Sequence, residues 1–129
     1  MKSLLLLFNH TLTSSQEEYA RNGLKVDKII SAPENIRSLW SQIPPDLETL
    51  FPYLEPARQW IEQNAQSGDF VLVQGDFGAT FLMVEFARQN NLIPIYSTTA
   101  RTVVEKKLED GSVKIEHNFS HVRYRQYGQ

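Results

Sequence analysis

The sequence predicts an α/β fold: a mostly parallel sheet flanked by helices and finished by a C-terminal β-hairpin. Three observations predict it. Apolar runs of strand length, "LLLLF", "FVLV" and "LIPIY", alternate with segments whose apolar residues recur at helical spacing. The first of these runs is continuous in its hydrophobicity, as in a strand buried on both faces of a parallel sheet. Near the C-terminus, Asp110-Gly111 stands between two extended runs, a hairpin signal of the type I′ class.

"KSLLLLFN" reads as the first strand, stopped by "NHT". In "TSSQEEYARNGL", Thr13 or Ser14 supplies a hydroxyl N-cap, Glu17 and Glu18 sit in the first turn where carboxylates suit the helix dipole, and Gly23 follows the end. "KVDKIIS" is a second strand closed by Pro33, so the chain opens as a βαβ unit. Pro33 and the set Ile36, Leu39, Trp40 and Ile43 predict a helix that Pro44-Pro45 breaks. "PARQWIEQNAQ" predicts another through Ala57, Trp60, Ile61 and Ala65, with Pro56 tolerated in its first turn and Gly68 ending it. Phe70 to Gln74 is the third strand. The helix after it, "FGATFLMVEFARQNN", is apolar on more than one face and calls for cover beyond the sheet, for which a partner subunit would serve. Leu92 to Ser97 is a fourth strand ending in the hydroxyl cluster Ser97, Thr98 and Thr99, and the hairpin completes the chain.

With 129 residues the chain fits one domain, 1–129, able to bury a core without staples. Cysteine is absent, which removes disulfides, thiolate catalysis and Cys-ligated metal. Only three histidines remain, and neither a metal nor a cofactor is expected. The run Leu4 to Phe8 is far below the ~20 residues of a membrane span, and its flanks are poor for a signal peptide, so a cytoplasmic protein without membrane association is expected. The net charge is -2. Residues 1–99 hold 7 basic and 11 acidic side chains, and residues 100–129 hold 6 basic and 4 acidic. Such a small basic excess does not hold long DNA or RNA, which takes several uncompensated Lys or Arg on one face. It allows a compact anion.

In open α/β sheets ligands gather at the carboxyl ends of the strands. There the sequence offers Asn9, His10 and Thr11 after the first strand, Gln74, Gly75, Asp76, Phe77 and Gly78 after the third, and Thr98, Thr99 and Arg101 after the fourth. Amides, hydroxyls, an imidazole, an acid and a guanidinium suit a phosphodiester or nucleotide. Each has a plainer reading beside it. "QGDFG" matches neither G-x-G-x-x-G nor the Walker pattern, and Gly75 and Gly78 serve equally for a tight turn or close packing. Asp76 suits an N-cap, and an acid beside a phosphate repels it, so in a phosphate site it would orient ribose or accept a proton. His10 suits a turn, the hydroxyls suit backbone capping, and Arg101 suits an ion pair with Glu105. In "FSHVRYRQYGQ", strand alternation puts His121, Arg123 and Arg125 on one face, either as a charge-guarded edge or as phosphate contacts beside stacking aromatics.

The stretches "LLLLFNHTLT", "IPPDLE", "FVLVQGDFGAT", "IPIYSTTAR" with Glu105, and "FSHVRYRQY" together resemble the small Csx-type accessory proteins of type III CRISPR systems, over nearly the whole chain. That resemblance implies a Rossmann-like domain of the CRISPR-associated Rossmann-fold (CARF) group. It also implies a ring nuclease for cyclic oligoadenylate, most simply cyclic tetra-adenylate, bound across the two-fold axis of a homodimer. The positions it implies are Asn9, His10, Thr11, Gln74, Gly75, Asp76, Phe77, Thr98, Thr99 and Arg101. Chemistry supplies a metal-independent route in which a ribose 2′-OH attacks its neighbouring phosphate. His10 or Asp76 would move the proton, while Arg101 and the Thr98 and Thr99 hydroxyls would meet the phosphate. The alternative is a non-catalytic sensor or sponge for the same messenger. The absence of an effector domain in the sequence argues against a sensor that relays a signal.

Overall fold

The computed structural model describes residues 1–129. It is an α/β arrangement of five strands and four helices. The strands are β1 (Ser3–Phe8), β2 (Lys28–Ser31), β3 (Phe70–Gln74), β4 (Ile93–Lys107) and β5 (Val113–Gln126). The helices are α1 (Ser14–Asn22), α2 (Glu34–Ser41), α3 (Glu55–Asn64) and α4 (Phe77–Gln89). The strand order is β2-β1-β3-β4-β5. The first three neighbouring pairs are parallel, and β4 with β5 is antiparallel, so the sheet is mixed.

The continuous apolar runs are central strands, as their hydrophobicity predicts. Leu4, Leu5 and Leu7 of β1 and Val71, Leu72 and Val73 of β3 are all fully buried. Each such side chain contributes about 1.5–3 kcal/mol of burial free energy. Because successive residues of a strand point to opposite faces, Leu5, Leu7, Val71 and Val73 pack with α2, α3 and α4, while Leu4, Leu6, Phe70 and Leu72 pack with α1. Three helices thus cover one face of the sheet and one helix covers the other.

The signals for helix starts hold, whereas α3 ends at Asn64, four residues before Gly68. Thr13 is the N-cap of α1, closing a capping box with Gln16. Proline occupies the first turn of α3, and Asp76 caps α4 by accepting from the Ala79 N–H at 3.0 Å. On α4 the buried stripe is Ala79, Met83 and Ala87, whereas Phe77 and Phe81 face solvent.

Three further details differ from the sequence reading. β2 begins at Lys28, because Lys25 takes a left-handed conformation (φ 61) that no strand accommodates. The fourth strand does not stop at Ser97: β4 continues to Lys107, paired with β5 alone after its first three residues leave β3. A cross-strand partner sustains an extended run without a second neighbour. The turn at Asp110-Gly111 is not type I′, which needs positive φ at both central residues. Only Gly111 has it (φ 86); its N–H donates to the Leu108 carbonyl, and the Leu108 N–H donates to the Ser112 carbonyl. This is a three-residue loop with glycine at its left-handed position.

Candidate functional site

β1 and β3 end side by side, Phe8 opposite Gln74. Immediately beyond them Asn9, His10, Gln74 and Gly75 line a cleft of about 210 Å³. His10 is exposed and stands edge-on to the Phe8 ring, 5.4 Å between centroids. On its other side lies a second cavity of about 280 Å³, bordered by His10, Thr11, Ser31, Glu17, Arg21 and Arg37. His10 therefore sits between an amide-lined cleft and a cavity carrying two guanidinium groups. Arg21 is tied to Glu17 at 3.3 Å, one turn earlier on α1. Arg37, on the solvent side of α2, makes no ion pair. Neither arginine carries a sequence signal as a site residue, since only the packing of α1 and α2 on opposite sides of β1 brings them beside His10.

The other residues of the third-strand turn are occupied structurally. The Gln74 side-chain oxygen accepts from the Ser97 N–H at 2.7 Å, and its carbonyl accepts from the Trp40 indole N–H at 2.9 Å. Gly75 lies directly on Trp40: a Cβ there would stand 2.6 Å from the indole nitrogen. Close packing explains this glycine. At Gly78 an added Cβ would meet Leu50 at 3.3 Å, a milder contact. The Asp76 carboxylate is committed to its helix, and Phe77 is almost fully exposed at 94%.

The residues expected after the fourth strand do not gather in this cleft, because that strand goes on. The Thr98 hydroxyl donates to the Arg123 carbonyl (3.1 Å) and accepts from its N–H (3.2 Å), bracing an irregularity between Thr98 and Thr99. Thr99 and Arg101 are on the extended hairpin. Arg101 lies about 13 Å along the strand from Ser97 at ~3.3 Å per residue, with its guanidinium donating to the His117 ring at 2.9 Å. The same irregularity undoes the expected basic face. It turns His121 toward α1, 5.4 Å from the Tyr19 ring and 4.8 Å from Tyr124, while Arg125 lies over Tyr96. The Arg123 guanidinium donates to the Tyr124 carbonyl.

His121 belongs to a polar seam between α1 and the sheet. The Gln16 amide donates to Ser97 Oγ at 3.3 Å, and Ser97 Oγ in turn hydrogen-bonds His121 Nδ1 at 2.6 Å. The ring's Nε2 is buried and without a partner. Burial lowers the His121 pKa, favouring the neutral ring. The Tyr124 hydroxyl closes the seam by donating to the Gln16 carbonyl at 3.0 Å, its pKa pushed up to about 12 by burial.

Fold and cleft together define an α/β protein that presents hydrogen-bonding and cationic groups where its parallel strands end. Residues 2–125 match the Uncharacterized protein MJ1673 family, and the chain belongs to it. It is 46% identical over 127 residues to Uncharacterized protein MJ1673 of Methanocaldococcus jannaschii, with 98% of each chain covered. No solved structure matches it. No helix is long and apolar enough to cross a membrane.

Proposed function

We propose that the strand-end cleft binds a cyclic oligoadenylate, most simply cyclic tetra-adenylate, and opens the ring. The observation that carries this reading is the position of His10, exposed between the amide cleft of Asn9, Gln74 and Gly75 and the cavity containing Arg37. Amides suit base and ribose edges, and an unpaired guanidinium suits phosphate. A ribose 2′-OH attacks the adjacent phosphorus as its proton passes to His10, and the departing 5′-oxygen takes up a proton from water. The products are a 2′,3′-cyclic phosphate and a free 5′-OH. Arg37 offsets the charge that builds on the phosphate in this step. The resemblance to type III CRISPR accessory proteins supports the same substrate, with a CARF-like reading of the sheet, a cytoplasmic setting and a homodimer.

A second reading, capture of the ring without cleavage, is favoured by one observation. Asp76 is held by the Ala79 N–H and Glu17 by Arg21, so His10 has no free second acid or base beside it.

Incubation with cyclic tetra-adenylate in EDTA separates the two. Under the first reading linear products accumulate, and His10→Ala slows cleavage by roughly 100-fold or more with little change in binding. Arg37→Ala weakens both. An intact ring after long incubation with excess protein removes the nuclease; tight binding in that experiment leaves the sponge.

A further inference from the structure

Beyond Thr98, β4 and β5 form a two-stranded ribbon that no helix covers, and its two faces differ. Paired residues share a face, so Val103, Val113, Ile115 and Phe119 stand together, exposed at 57%, 55%, 57% and 67%. The opposite face is polar apart from Val104: Thr102 and Asn118 stand there with Glu116, which pairs with Lys106 and Lys114. This is the alternation of an antiparallel sheet wet on one face and covered on the other. The apolar face continues the α1 side of the sheet, since it runs through His121, which packs on Tyr19. Helix α1 covers the sheet only that far.

We propose that the apolar face of the ribbon packs on the same face of a second copy of this chain, with the two ribbons antiparallel about a two-fold axis at Val103 and His117. Charge selects this register. Arg101 and Glu105 lie on the apolar face, two residues to either side of Val103; neither makes an ion pair within the chain, and the partner of Arg101 there is the neutral acceptor of the His117 ring. Reversal about Val103 sets Arg101 against the partner subunit's Glu105, and Glu105 against the partner subunit's Arg101. On β5 the same operation sets Phe119 against the partner subunit's Ile115. Both the apolar and the charged groups are self-complementary, as an isologous interface requires. The face offers about ten residues per subunit where a standard interface uses about 20–30 a side, so the dimer dissociates on dilution through roughly the micromolar range. The proposal goes beyond the reading above and rests on the ribbon alone: its axis lies six residues past Ser97, about 20 Å at ~3.3 Å per residue, so each subunit keeps its own strand-end cleft.

Sedimentation velocity of the full chain without ligand, across a concentration series, tests it. The wild type shifts from monomer to dimer. Val103→Glu, which sets two carboxylates together at the axis, stays monomeric at every concentration. Arg101→Glu and Glu105→Arg each weaken association at least tenfold, and the double variant recovers it; all three positions changed are exposed, and circular dichroism checks that each variant folds. A wild type that is monomeric throughout overturns the proposal. So does a Val103→Glu protein that still dimerises, which would move the second copy to another face such as Phe77 and Phe81 of α4. A double variant no better than the single ones overturns the register. A dimer that leaves cyclic tetra-adenylate intact counts against the nuclease alone, and a monomer that cleaves it counts against the ribbon interface alone.

Discussion

β4 and β5 run through two environments, and the comparison separates what holds a strand from what holds a core. At their roots Ile95 and Tyr124 are 1% and 3% exposed, packed on the α1 side of the sheet with Leu4, Leu72 and Ala20. From Thr99 to Ser120 the same two strands contain no buried residue, yet the pairing stays in register from Thr99 with His121 to Lys107 with Val113. Ladder hydrogen bonds and cross-strand neighbours keep a strand extended in water. Burial is what ties it to the stability of the whole.

Substitutions in the two environments test that contrast. The largest effect belongs to Trp40→Ala. This side chain is 2% exposed, donates to Gln74 and supports Gly75, and its loss should lower unfolding free energy by about 3–5 kcal/mol in urea titration. Gly75→Ala comes next, at roughly 1–3 kcal/mol, because its methyl group must displace the indole from a packed core. A pH effect follows from His121. Burial holds its folded pKa below the ordinary 6.5, so the stability tied to its neutral ring is complete above that value and declines as pH falls through the range below it. The unfolding temperature measured from pH 8 to 5 should therefore drop, and drop less in His121→Gln. Smallest is Ile115→Ala on the ribbon, within about 0.5 kcal/mol for the dilute monomer. A loss there as large as at Trp40 would mean that the ribbon has a cover within its own chain.

The body of the fold was legible because its signals are local. Thr13, Asp76 and Pro56 mark helix starts through groups within three residues of themselves, and the run Leu4 to Phe8 announces a central strand by composition alone. The extent of β4 was not legible. "STTAR" carries hydroxyls typical of a strand end, and only the partner segment Val113 to Ser120 shows that it continues. The site divides the same way. Asn9, His10, Gln74 and Gly75 were reachable from the rule that polar loops converge where parallel strands end, and they do line one cleft. Arg37 was not, since its place beside His10 depends on how α2 docks. His121 was assigned to the wrong face because one irregularity at Thr98 reverses the alternation beyond it, and nothing in "FSHVRYRQY" marks that position.

Two tyrosines fix the geometry at the root of the ribbon. Tyr124 donates to the Gln16 carbonyl on the α1 side, and Tyr127 donates to the Val73 carbonyl from the opposite face. The last strand is thereby riveted from above and below just where the overhang starts. With ten residues of β4 beyond Ser97, the projection is about 33 Å long at ~3.3 Å per residue. It behaves mechanically as a cantilever: a small rotation at the clamped root becomes a large displacement at the tip.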